Sequence, residues 1–215
     1  MPQRTNFWDE FVQPIFKIDD GYQVIDRYEV ENKMIVDLCG GVPVDRLLYL
    51  SVDVQSINDS VLRVSLGTDL FQAERLIDFN SKLIENASIH VFHKRKGIGT
   101  RLLCNQVYEA RRHNFRKLTA TAMGPDYGQE WMGYYTWGRL GYLMQPLDQG
   151  DFEIGMRNHG RQEKMLHELL ATAEGRAMWL NVGFTWAGAF DLRPNSLSLK
   201  ILAEYLKVSK KDYQF

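Results

Sequence analysis

A disulfide framework is excluded first, because the 215 residues hold only two cysteines, Cys39 and Cys104, each beside a leucine. Two such thiols are too few for a Cys-rich zinc site and read as buried core groups. Charge of one sign is also missing, since 26 Lys+Arg face 27 Asp+Glu for a formal net charge of -1. A protein-wide basic field for nucleic acid or anionic membrane is therefore not expected. No run approaches the roughly 18 apolar residues of a membrane span. The start MetProGlnArgThrAsnPheTrpAspGluPheValGln is too polar for the apolar core of a secretory signal. These absences point to a cytoplasmic protein without membrane contact. Repeats, low-complexity tracts and linkers rich in Gly, Ser or Pro are lacking too, so one compact unit is expected.

What is present is apolar material for a core, 45% of the residues. The first forty residues predict a short helix from Phe7 (PheTrpAspGluPheVal) and strand-like runs at Tyr22–Tyr28 and Lys33–Leu38. Arg46–Val54 and the run from Val61 (ValLeuArgValSerLeu) are β-rich, and Asn58 and Asp59 mark a turn between them, so a hairpin is predicted. Leu70, Phe71, Leu76, Ile77 and Phe79 fall on roughly helical spacing, which predicts a helix over Asp69–Phe79 capped by Asp69. Lys82–Phe92 predicts a strand, Thr100–Arg112 an amphipathic helix burying Leu102, Leu103, Val107 and Tyr108, and Lys117–Ala122 a strand. A helix over Asp126–Leu140 ends at Gly141, and TyrLeuMet returns to strand. Beyond Gly150, helices are predicted over Gln162–Leu180 and Ser196–Leu206. Trp179, Trp186, Phe190, Leu192 and Leu197 need apolar partners there, so this stretch is read as an extension packed on the same core.

Strand, glycine loop and amphipathic helix follow one another around LysArgLysGlyIleGlyThr, Lys94 to Thr100. Free backbone N–H groups, the positive end of a helix dipole and the cations Lys94, Arg95 and Lys96 would converge there, which suits a phosphate or pyrophosphate. Gly97 and Gly99 let backbone approach an anion closely and reach positive φ. An ordinary tight turn with solvated charges is the alternative. The loop is not a P-loop, because GlyXXXXGlyLys(Ser/Thr) is absent, and it lacks the third glycine of the dinucleotide fingerprint.

Ile89 to Leu103, IleHisValPheHisLysArgLysGlyIleGlyThrArgLeuLeu, resembles the acetyl-CoA-binding signature of the GNAT superfamily of N-acetyltransferases, (Arg/Gln)XXGlyXGly(Ala/Gly) between a strand and a helix. Lys94 stands where the family usually has Arg or Gln. Trp137 to Tyr142, TrpGlyArgLeuGlyTyr, is similar to the family's closing TyrXXXGlyPhe motif and follows roughly forty residues later. The resemblance covers about Lys82 to Met144. It implies an α/β (α+β) fold with a mixed, strongly twisted central sheet flanked by helices. That sheet would splay between the strand ending near Ile89 and the strand Lys117–Ala122. Residues 1–150 would form the acetyltransferase core and 151–215 a mostly helical extension. It further implies that acetyl-CoA is the co-substrate. Backbone around Ile89, His90 and Val91 would hold pantetheine, and Lys94, Arg95, Lys96, Gly97, Ile98, Gly99 and Thr100 the pyrophosphate.

Acyl transfer to an amine needs a base for the amine and an acid for the departing thiolate. Glu85 lies four residues before Ile89, where family members often carry the base, and strand parity puts the two on one face. An exposed strand glutamate is the alternative reading, and His90 and His93 are the other base candidates. For the acid, the family places a Tyr where this chain has Trp137, and an indole N–H has no usable acidity. Tyr134, Tyr135 or water would take that role, although both tyrosines also suit a core. A second departure lies upstream: the family has two helices after its first strand that shape the acceptor site, whereas strands and a hairpin are read here. The leading expectation is an N-acetyltransferase acting on an unidentified amine by direct transfer in a ternary complex. A non-catalytic acyl-CoA-binding or protein-interaction module is the alternative. Nucleic-acid contact through the basic runs His93–Arg101 and Arg111–Lys117 is a third reading, opposed by the balanced charge. A homodimer is left open.

Overall fold

Alternation of apolar and polar residues builds the first half of the chain. In the computed structural model, which describes residues 15–18, 21–41, 50–93, 96–125 and 132–209, the chain divides into two compact units, one ending at Arg116 and the other beginning at Lys117. The expected boundary near residue 150 falls inside a helix of the second unit.

In the first unit, strand β1 (Ile15–Ile18) precedes two short helices, α1 (Tyr22–Arg27) and α2 (Asn32–Leu38). Strands β2 (Leu50–Asn58), β3 (Val61–Thr68), β4 (Phe71–Asp78) and β5 (Leu83–Val91) follow, and then helix α3 (Ile98–Arg112). β1 pairs parallel with β2, and β2 to β5 form an antiparallel meander. The Asn58 turn sits where expected, its side-chain oxygen accepting from the backbone N–H groups of Ser60 and Val61. Val52, Val54, Leu62, Val64, Leu66, Phe71 and Ile77 share one face and are buried. The other face carries Asp53, Arg63, Glu74, Ser88 and His90. α1 approaches the apolar face closely at Gly21, where a Cβ would lie 3.0 Å from a Val54 methyl. A buried amide pair joins α3 to β5, and one of its members ties α3 to α2 as well. Asn86 and Gln106 each donate to the other's oxygen at 3.0 and 2.9 Å, and Gln106 also donates to the Leu38 carbonyl at 3.0 Å. A chain of rings, Tyr28 on Phe79 and Phe79 on Phe115, closes the far end.

Two expectations are overturned here. Tyr22–Tyr28 and Lys33–Leu38 are helical rather than extended. Asp69–Phe79 is not a helix, because β4 occupies most of it. The helical spacing of its apolar residues was a false signal, since the core-facing set is Phe71, Ala73, Arg75 and Ile77, and the arginine hid the period of two. Nor does Asp69 act as an N-cap: the Thr68 hydroxyl accepts from the N–H groups of Leu70 and Phe71 and turns the chain directly into β4. The predicted helix from Phe7 and the start of the Arg46–Val54 run lie outside the described residues.

The second unit starts with β6 (Lys117–Ala122). Helix α4 (Gly133–Arg139), strand β7 (Leu143–Met144) and helices α5 (Pro146–Asn158), α6 (Leu166–Ala171) and α7 (Ala173–Val182) follow, and then strand β8 (Trp186–Asp191) and helix α8 (Leu197–Val208). β8 pairs antiparallel with both β6 and β7, so the residues read as a helical extension place a strand between two earlier ones. Ser196 caps α8 by accepting from the Leu199 N–H, and Thr172 caps α7 from Gly175, which splits the predicted Gln162–Leu180 helix in two. The first six residues of the predicted Asp126–Leu140 helix lie outside the described residues. Trp179, Trp186, Phe190 and Leu192 are buried as expected, whereas Leu197 is 42% exposed. Among the described residues the fold is mixed α/β: eight strands, paired both parallel and antiparallel, with helices packed on them.

Candidate functional site

The glycine loop sits at the junction of β5 and α3. β5 ends at Val91 and α3 begins at Ile98, entered through Gly97 in the left-handed region at φ 75°. A left-handed entry residue is what glycine supplies without steric cost. The N-cap residue, Gly97, brings no capping side chain, and no acidic residue lies in the first turn of α3. In an α-helix the first N–H groups have no partner within the helix and carry its positive pole. Gly99 lies one residue inside that end, and among the described residues a Cβ there would meet only a Val91 methyl at 3.9 Å. The end of β5 thus runs alongside it. Ile98 and Thr100 are buried and root the helix end in the unit, while Lys96 is exposed. Lys94 and Arg95 lie outside the described residues. The amphipathic face of α3 buries Leu102, Leu103 and Val107; Tyr108, expected with them, is 40% exposed beneath the Arg112 guanidinium.

β5 carries the remaining first-unit candidates, and its geometry differs from a regular strand. Glu74 pairs with Ser88 while its neighbour Arg75 pairs with Asn86, which leaves Ala87 as a β-bulge. The bulge shifts parity. Glu85 faces Leu76 and Ile89 faces Ala73, three positions apart on the regular partner strand, so Glu85 and Ile89 point to opposite faces rather than to one. Glu85, half-buried, shares the open face with Ser88 and His90; Ile89 and Val91 point to the helix-covered side. His90 and His93 are both exposed, and the His90 ring lies 5.3 Å from that of Phe92.

The tyrosine candidates belong to the second unit and have unlike settings. Tyr134 is 3% exposed, and its phenol donates to the Leu180 carbonyl at 2.9 Å. Its own carbonyl accepts from both Trp179 and Trp186 indoles at 3.0 and 2.9 Å. Burial, and then the neighbouring Tyr135, push the Tyr134 phenol above its usual range. Tyr134 is thus an anchor of the second core, with its proton engaged. Tyr135 is half-buried and accepts from Arg139 at 3.3 Å; the Arg139 guanidinium lies over both the Tyr135 and Tyr205 rings, at 5.6 and 4.9 Å. Trp137 packs on Tyr142 with ring centroids 4.7 Å apart.

Arg75 is the residue that sequence reasoning missed. The available signal was its parity with Phe71, Ala73 and Ile77, which marks a core-facing position occupied by a charge. Among the described residues, no cluster of His, Cys, Asp and Glu could hold a metal ion, and no helix is long and apolar enough to cross a membrane. No protein-family model matches the chain, and no curated protein matches it either.

Proposed function

We propose that the chain is an acetyl-CoA-dependent N-acetyltransferase that passes the acetyl group directly to an amine in a ternary complex. The observation that carries this reading is the amino end of α3. Its N-cap, left-handed Gly97, brings no capping side chain, its first turn holds no acid, and among the described residues a Cβ at Gly99 would meet nothing nearer than Val91 at the end of β5. That combination suits a pyrophosphate, whose oxygens accept from helix N–H groups. The order of elements supports it as well. Two helices, α1 and α2, do follow the first described strand, which removes one departure from the family pattern.

In the reaction, the amine nitrogen bonds to the thioester carbonyl carbon, the carbon–sulfur bond breaks, and the thiolate leaves as CoA. The chain's residues have to take one proton from the amine and return one to sulfur. Glu85, half-buried on the open face of β5, is the candidate acceptor of the first. For the second, Tyr135 is the better-suited phenol, because Tyr134 spends its O–H on Leu180. Titration of the purified protein with acetyl-CoA, followed by heat, tests the reading. Saturable binding that Gly99→Glu removes is the expected result, and no binding at high micromolar ligand rejects it.

A second reading, a non-catalytic acyl-CoA-binding module, draws on the closing motif. Trp137 replaces the usual tyrosine and is packed on Tyr142, and the adjacent buried phenol of Tyr134 is committed to the fold. Binding of acetyl-CoA with no CoA release across a broad amine panel would favour this reading over the enzyme.

A further inference from the structure

On the helix-covered face of β4, alternation calls for apolar residues and supplies them at Phe71, Ala73 and Ile77, yet Arg75 sits among them at 2% exposure. A buried guanidinium is costly unless its N–H groups are hydrogen-bonded, so an apolar residue would be the easier occupant. Arg75 lies close enough to the Cys39 thiol to pull its pKa down against the rise that burial imposes. Its hydrogen bonds show what the arginine does instead of packing. Nη1 donates to the Glu74 carbonyl at 2.9 Å and to the Ser88 carbonyl at 2.6 Å. Glu74 and Ser88 are cross-strand partners, while Arg75 itself is opposite Asn86, so the bulged residue Ala87 lies within the span that the guanidinium bridges. One nitrogen therefore holds two carbonyls together beside the point where β5 gains a residue.

A bulge leaves the following stretch free to slip or bend, and each step of slippage would exchange the faces of every later residue. The stretch after Ala87 is Ser88–Val91, which runs to the Gly99 end of α3. We infer that Arg75 is a positioning residue for the cofactor: by holding the Ser88 carbonyl across the bulge, it sets the direction and register of the Ser88–Val91 backbone that hydrogen-bonds the pantetheine arm. This inference rests on the acyl-CoA reading above. Arg75 touches neither thioester nor amine and acts only through that backbone.

The test compares two ligands that share a pyrophosphate but not a pantetheine, CoA and ADP, by calorimetric titration of wild type, Arg75→Met and Arg75→Lys. Arg75→Met is expected to weaken CoA about tenfold while leaving ADP within about twofold, and Arg75→Lys to fall between Met and wild type. Folded Arg75→Met that binds CoA as wild type does overturns the inference while leaving the acyl-CoA reading intact. Equal weakening of both ligands also overturns it, because that is the mark of a general structural role. Wild type that binds neither ligand overturns the acyl-CoA reading and this inference together. If neither variant folds, hydrogen exchange on the wild type decides. Protection of the Ser88–Val91 amides by CoA but not by ADP supports the inference, and its absence overturns it.

Discussion

Gly97 and Gly99 at the start of α3 and Gly138 and Gly141 at the end of α4 are similar pairs in the sequence, but their surroundings differ in kind. At Gly141 φ is +99°, and a Cβ would lie 2.4 Å from the Ser198 carbonyl oxygen and 2.9 Å from the Phe190 ring. At Gly138 it would lie 2.8 Å from a Leu170 methyl. Packing within the second unit accounts for both of those glycines. Gly97 is accounted for by its left-handed φ. Gly99 has neither a positive φ nor a close neighbour among the described residues, so nothing in their packing asks for glycine there. The comparison separates glycines that serve the fold from one whose open flank suits an approaching ligand, a distinction that spacing alone does not make.

Substitutions should break the two motifs in opposite ways. Gly141→Ala combines an unfavourable φ with a backbone collision and is expected to lose roughly 3–5 kcal/mol of stability, read from urea denaturation. Gln106→Leu removes the Gln106 bonds to the Asn86 amide and the Leu38 carbonyl in the first unit. It should lose about 1–3 kcal/mol in the same assay. Tyr134→Phe deletes one buried O–H donor to Leu180 and should cost about 1 kcal/mol. In an active enzyme it should leave turnover far less affected than Tyr135→Phe does, and the reverse order would return the acid role to Tyr134. Gly99→Glu sits at the other extreme: stability within about 0.5 kcal/mol of wild type, with acetyl-CoA binding lost. A large stability loss there would erase the contrast between the two pairs.

Alkaline pH offers a further probe of both units. Burial pushes the Cys39 thiol of the first unit up to about 12, and burial also raises the Tyr134 phenol of the second. Each group keeps its proton in the folded chain at a pH where the unfolded chain has released it. Stability from these groups is therefore complete below the unfolded pKa and is lost as pH rises through the folded one. The melting temperature is expected to decline from about pH 9 towards 12. Cys39→Ala should flatten the Cys39 part of that decline and leave the Tyr134 part in place.

How much of this was legible in advance varied with how local the cause was. The Asn58 hairpin, β5, α3, β6 and the helix α8 follow from alternation, turn chemistry and helical periodicity within a few residues. The Gly97–Gly99 loop opening a helix was legible for the same reason. α1 and α2 were misread as strands because six- and seven-residue helices carry too few residues to display a period. β4 was misread because one arginine occupied a core position, and its hydrogen-bond acceptors, the Glu74 and Ser88 carbonyls, come from two strands. The parity of Glu85 with Ile89 failed on a single unpaired residue, Ala87, visible only once β4 lies beside β5.

By itself, the sequence determined that this is a mixed α/β chain with a strand–glycine loop–helix unit, because backbone period, turn residues and caps act over short range. Only the tertiary structure decided which glycines the packing requires, where the bulge falls, and which tyrosine is committed to the core. Those outcomes depend on contacts between residues distant in the chain, such as Tyr134 with Leu180 and Gly141 with Ser198, which no local pattern encodes.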